Sequence, residues 1–239
     1  MAQALPNLNY PVSGSTKQSL IFAGDAAAAD EGNFFIATSP TPGTAIATTT
    51  SVVDDAATQS STHAQASPVM VINNQNAAGS GINIYLRYLK MYVVQVPTSA
   101  SIWSYAFRMD PLSTKLTTPG TAITPQNVNS LSNNVSKASI SFGANTTVIM
   151  SGQGRLTGAG LVSGAIPVAQ DQWFFNFGNP AASCDSIGTQ TLVKSLSLPC
   201  APQIIAPGFF WTLEMWGASN AAAPSWVFEL GYIERPTGQ

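Results

Sequence analysis

Charge is scarce in this sequence. Asp, Glu, Lys and Arg make up 8% of the 239 residues, against about 25% in an ordinary soluble domain. Nine basic and eleven acidic side chains leave a net charge of −2, too little to draw in phosphates or anionic lipid. Histidine occurs once, at His63, and cysteine twice, at Cys184 and Cys200. No run approaches the roughly 18 apolar residues of a membrane-spanning helix. The first residues, Met1-Ala-Gln-Ala-Leu-Pro, show no basic segment leading into an apolar one and read as lacking a secretory signal. Helical periodicity is missing too. Its best approximation, Asp25-Ala-Ala-Ala-Ala-Asp-Glu-Gly32, is too short for more than a turn or so of helix.

In place of charge stand 32 Ala, 26 Ser, 22 Thr and 15 Asn. A surface of this kind stays in solution through neutral hydrogen bonding and is cheap to desolvate against a partner, because burying a hydroxyl or amide costs less than burying a charge. The balance argues against a nucleic-acid binder and most enzymes, and for a structural protein.

Short β-branched and aromatic runs, separated by Gly, Pro, Asn and Ser clusters, predict strands. They fall at 34–37, 69–73, 82–96, 102–109, 139–142, 146–150, 173–177, 209–216 and 226–233, with a further addition at 191–197. The spacing predicts one all-β domain, an antiparallel sandwich or barrel. In 82–96 the apolar face runs Ile82, Ile84, Leu86, Tyr88 and then shifts to Leu89, Met91 and Val93; a β-bulge near Tyr88 or Leu89 reconciles the halves. In the last run, Trp226, Phe228, Leu230 and Tyr232 alternate with smaller or polar residues and predict a core face. Residues 38–67, small and polar, read as an extended arm, so 1–67 is expected to be an N-terminal extension. Residues 111–170 contain no Asp or Glu and read as a loop-rich sector.

Catalytic chemistry finds little to stand on. His63 lies in Ser-Ser-Thr-His-Ala-Gln-Ala-Ser, with no Gly-x-Ser-x-Gly elbow anywhere, and is expected to be solvated. The pairs Asp30-Glu31 and Asp54-Asp55 lack calcium-loop spacing and are expected at solvated turns. Glu214 and Glu229, inside predicted strands, are expected to pair with a basic residue such as Arg87 or Arg108. Cys184, Cys200 and His63 do not make a zinc set; the cysteines are expected reduced, although a bridge would close a short loop holding Gly188 and Pro199. Gly152, Gly154, Gly158 and Gly160 miss the phosphate-loop spacing and read as turn residues. Asn134-Val-Ser136 and Asn145-Thr-Thr147 match the glycosylation pattern by chance. Trp103, Trp173, Trp211, Trp216 and Trp226 are the candidates for stacking on sugar rings, though strand positions favour a core role. No catalytic, cofactor-binding or metal-binding residue is assigned.

The passage from Ala206-Pro-Gly-Phe-Phe-Trp through Leu-Glu-Met-Trp-Gly217 to Trp226-Val-Phe-Glu-Leu-Gly-Tyr-Ile-Glu-Arg235 resembles the ending of virion structural proteins of tailed bacteriophages. Thr41-Pro-Gly-Thr-Ala-Ile-Ala47 and Ile84-Tyr-Leu-Arg-Tyr-Leu89 fit the same group. The resemblance implies a jelly-roll-like sandwich carried in the particle without enzymatic activity, and transfers no site residues. The expected function is a capsid decoration or cement protein, assembled in the host cytoplasm, whose partners are copies of itself, as a homotrimer, and the major capsid protein. No nucleic acid, membrane or cofactor enters that expectation. The alternatives are a tail or fibre adhesin gripping host glycan, and a jelly-roll coat protein forming the shell.

Overall fold

The computed structural model describes residues 24–39, 46–47, 68–95, 103–110, 116–118, 120–143, 146–148, 155–163, 169–178, 195–217 and 225–236. They form two sheets that share one core, an all-β sandwich rich in antiparallel pairs. In the first sheet β13 (Ser195–Cys200), β12 (Gln172–Phe177), β4 (Ile82–Gln95), β16 (Ser225–Pro236), β1 (Phe34–Thr38) and β8 (Gln126–Asn127) follow one another. Two short pieces join it: β14 (Ile204–Ile205) on β4 and β2 (Ile46–Ala47) on β16. The second sheet runs β11 (Arg155–Ser163), β5 (Trp103–Asp110), β15 (Phe210–Gly217), β3 (Met70–Asn74), β9 (Ala138–Phe142) and β7 (Thr121–Ile123). A separate pair joins β6 (Leu116–Thr118) to β10 (Thr146–Val148). The one helix among the described residues, α1 (Gly24–Asp30), grows from the alanine run. It lies on the outer face of the first sheet, where Ala28 packs with Phe34 and Ile233.

Alternation along the strands builds the core. Ile84, Leu86, Leu89, Met91 and Val93 of β4 and Trp226, Phe228, Leu230 and Tyr232 of β16 are buried on the inner face of the first sheet. Met70 and Ile72, Tyr105 and Phe107, Ile140 and Phe142, Trp211 and Leu213 answer from the second. Rings meet across the gap: Phe142 stacks on Phe228 with centroids 4.4 Å apart, and Phe107 meets Phe175 and Phe177 edge-on at 5.5 and 5.4 Å. A buried amide also spans the layers. Gln203 accepts from Trp211 Nε1 at 3.2 Å and donates to the Thr157 carbonyl at 3.3 Å, while its own carbonyl receives the Leu86 amide.

The expected bulge in β4 is present. Gly231 pairs with Tyr88 and Tyr232 with Leu86, which leaves Arg87 as the extra residue and turns Tyr88 onto the outer face rather than the core. The Tyr88 ring then lies against Gly231. A Cβ built there would run into ring carbons Cε1 and Cζ. The ring has little freedom to retreat, because its hydroxyl donates to Glu229 at 2.7 Å and its other face stacks on Phe174. Gly231→Ala is therefore expected to cost about 2 kcal/mol by overpacking. Urea titration should show the loss, and Tyr88→Ala in the same chain should return most of it.

Several expectations change. Phe34–Thr38 falls inside the segment expected to be an extension, yet β1 is an interior strand, registered with β16 from Phe34↔Ile233 to Thr38↔Glu229. Ser39 and β2 likewise hold to β16, Ser39 through hydrogen bonds in both directions with Phe228. Gly158 and Gly160 are not turn residues but lie within β11, where the Phe107 ring rests against Gly158. The strand expected at 191–197 sits later, at Ser195–Cys200, placed by parallel pairing with β12.

Candidate interaction surface

The residues that sequence reasoning weighed for chemistry do not converge. His63, Asp54-Asp55, Cys184, Gly152, Gly154 and Asn145 lie outside the described residues. Among those described, no group of three or more His, Cys, Asp or Glu is placed to hold a metal. Asp30 closes α1, and Glu31 in the turn after it meets Arg235 at 3.2 Å. Glu214 pairs with Arg108 at 3.0 Å as expected, whereas Glu229 pairs with Lys90 at 3.0 Å, Arg87 being engaged by Asp25 at 2.7 Å. Glu214 and Glu229 stand in opposite sheets and form no dyad. Trp173, Trp211 and Trp226 are in the core, out of reach of a sugar ring; the side chains of Trp103 and Trp216 are outside the description. Cys200 is a free buried thiol, pushed up to about 12 by its burial.

Glu229 carries a pH dependence. Burial works to raise its carboxyl, but the Tyr88 hydroxyl and the Lys90 ammonium outweigh burial and hold it below the ordinary value of 4.5. A lowered folded-state value means that this contribution to stability is complete above 4.5 and fades as the pH falls through the folded value. Denaturant midpoints measured from neutral pH into that range should fall less steeply for Glu229→Gln than for the unmodified protein.

What the structure does build is a loop. Residues 127–137 leave β8 on the edge of the first sheet and return into β9 of the second. Asn and Ser side chains shape the segment by bonding to the backbone two residues on, the turn chemistry these residues favour. Asn127 Oδ1 accepts from the Asn129 amide at 2.9 Å and Asn129 Oδ1 from Leu131 at 3.0 Å. Ser132 Oγ then accepts from Asn134 at 3.1 Å, and Ser136 Oγ from Ala138 at 3.0 Å. Their remaining donors fasten the loop to the turn after α1. Asn127 and Asn134 both donate to the Gly32 carbonyl, at 2.8 and 3.1 Å, and Asn129 donates to Asp30 at 2.9 Å. Gly32 has φ +71°, and a Cβ on it would run into the Ser132 side chain; only glycine fits this junction.

The returning leg is held by β16. Glu234, 8% exposed, accepts from Ser136 Oγ at 2.5 Å and from the Lys137 amide at 3.0 Å. Ser136 has a single proton, committed to that carboxylate, so Tyr232 is the donor in its 2.6 Å contact with Ser136. Burial, with the Glu234 charge adding to it, raises the Tyr232 hydroxyl well above its ordinary value and keeps the proton in place.

Held in this way, the loop puts apolar side chains in water. Leu131 is 91% exposed, Val135 76% and Val128 39%. Leaving a leucine in water forgoes about 1.5–3 kcal/mol that burial would return. From 116 to 136 the chain has no charged residue, and Lys137 at the end of the loop is its one charge, so the loop offers no acid–base pair or ligand set. Its chemistry is apolar contact bordered by neutral amides and hydroxyls. Because its backbone is already fixed, docking would cost little ordering entropy. Sequence reasoning saw this region only as loop-rich; the available signal was Asn and Ser recurring at turn spacing around isolated valines and a leucine. Compared with known proteins, the chain matches no family model, no curated sequence and no solved structure.

Proposed function

We propose that this protein is a non-enzymatic structural component of a bacteriophage particle, a capsid decoration or cement protein that works as a homotrimer with the major capsid protein. The observation that carries the reading is the ordered loop, neutral from 127 to 136, that keeps Leu131 and Val135 in water. Such a surface suits many repeated, modest contacts around a symmetric shell. A jelly-roll connectivity, implied by the resemblance to phage virion proteins, belongs to the same proposal. It is supported by the way successive strands change sheets: β3 and β15 lie in the second, β4 and β16 in the first. The adhesin reading loses support with the burial of Trp173, Trp211 and Trp226.

Adding purified protein to capsids that lack it should restore their resistance to heat, and Leu131→Asp should weaken that effect. Antibody labelling of virions should mark the head. Labelling confined to the tail, or direct binding of the protein to host polysaccharide, would replace this reading with the adhesin.

A further inference from the structure

The loop has a counterpart on the same molecule. At the far end of the first sheet, Tyr92, Val93, Val94, Ala169, Gln170 and Gln172 line a depression of about 460 Å³. One wall is a turn that folds back on β4: the Gln170 amide donates to the Val93 carbonyl at 2.8 Å, and the Val93 amide to the Asp171 carbonyl at 2.9 Å. Gln170 makes this possible by adopting φ 74°, the one left-handed non-glycine residue among those described. Val94 is 47% exposed, and none of the described lining side chains is charged.

Strand register places the two features. The loop is tied to Glu234, which pairs with Ile84, while Val93 pairs with Trp226 at the other end of the same two strands. The eight steps of chain from Trp226 to Glu234 span roughly 25 Å. A protruding apolar knob and an apolar hollow thus occupy opposite ends of one sheet, and none of Leu131, Val135 and the described lining of the hollow has a charge to strip of water on contact. A lipid surface fits the loop poorly, since 127–137 has no aromatic side chain and a single basic one, Lys137, too few of the groups that anchor a segment at a membrane.

We infer that the loop around Leu131 docks into the depression beside Val94 of a second copy of this chain. Knob and hollow are different patches, so the contact is head-to-tail. Each pairing leaves one knob and one hollow free, and association continues until a rotation closes a ring. A homotrimer is one such ring, but the inference goes beyond the phage reading and does not depend on it.

Sedimentation velocity of the full chain over a range of concentrations tests it. The unmodified protein is expected to form species larger than a dimer. Leu131→Asp removes the knob and Val94→Asp spoils the hollow; each should weaken self-association by roughly tenfold or more, as losing a central apolar anchor does. Mixed in equal amounts, the two variants retain one intact knob and one intact hollow between them and should form dimers and nothing larger. If circular dichroism shows Val94→Asp to be misfolded, Ala169→Arg fills the same hollow from an exposed position. Unmodified protein that stays monomeric, variants that associate as it does, or a mixture that stays monomeric would overturn the inference. Should Leu131→Asp abolish capsid stabilisation yet leave self-association intact, the loop docks on another protein. The inference would then fail while the proposed function stood.

Discussion

Replacing Phe107 with alanine is expected to remove about 4 kcal/mol of stability. Phe107 is 1% exposed and stands at the crossing of the two sheets. Its ring lies 5.2 Å from Trp211 and from Tyr105, 5.4 Å from Phe177 and 5.5 Å from Phe175. Truncation would lose the transfer energy of the ring and up to about 1 kcal/mol for each well-placed aromatic pair, and would leave a cavity whose walls belong to different strands and cannot easily collapse. Against the 5–15 kcal/mol that holds an ordinary domain folded, that is a large fraction. Urea unfolding followed by tryptophan fluorescence measures it. Phe174→Ala supplies the contrast: this ring is on the outer face, stacked on Tyr88 at 6.0 Å, and its loss is expected to cost about 1 kcal/mol. Equal losses at both positions would contradict the shared core described here.

Removing one cation from the second sheet should do nearly as much. Arg108 Nε lies 3.0 Å from Glu214 Oε2, with the two side chains 16% and 1% exposed. Arg108→Met takes a guanidinium away from a carboxylate that is only 1% exposed, and a loss of about 3 kcal/mol is expected. Lys90 and Glu229 make a pair of the same length but with side chains 38% and 33% exposed; Lys90→Met is expected to cost under about 1 kcal/mol because solvent replaces the lost partner. Parallel urea titrations of the two variants decide the matter. Combining Arg108→Met with Glu214→Gln should recover part of the loss, since an amide buried there does not need a cation.

The architecture was legible wherever a strand carries its own pattern. Runs rich in aromatic and β-branched residues at 34–37, 69–73, 82–96, 209–216 and 226–233 became β1, β3, β4, β15 and β16 within a residue or a few at each end. Even the bulge followed from the one-residue slip between Tyr88 and Leu89: expected near those residues, it is found at Arg87. Strands defined by their neighbours were not legible. Arg155–Ser163 is rich in glycine and small residues and shows no alternation of its own; at Gly158 the Phe107 ring takes the place of a side chain. Short β7 and β8 exist only through their ladders, and the parallel partner of β12 was displaced because pairing with β12, not an alternation of its own, sets its register. Ion pairs were half legible: Glu214 met Arg108, but Arg87, the bulge residue, left Glu229 to Lys90 and turned to Asp25. The loop at 127–137 escaped notice because its Asn and Ser turns are fastened by the carbonyls of Asp30 and Gly32 and by a carboxylate at the end of β16. None of these is near it in sequence.

The position of β16 has a bearing on how the molecule is made. This strand lies between β4 and β1 in the first sheet, and β15 lies between β5 and β3 in the second. While the polypeptide is still being synthesised, neither sheet has its middle, and β1 and β4 have no common partner. The nascent chain must therefore hold Phe35, Ile84, Leu89, Tyr105 and Phe107 in an unfinished state until residues 210–236 have left the ribosome, and only then can both layers close. Such late, long-range closure is slow and leaves apolar strands open to misassembly in the interval. Truncations that stop short of residue 225 should accumulate with chaperones or in inclusion bodies rather than as a smaller soluble domain.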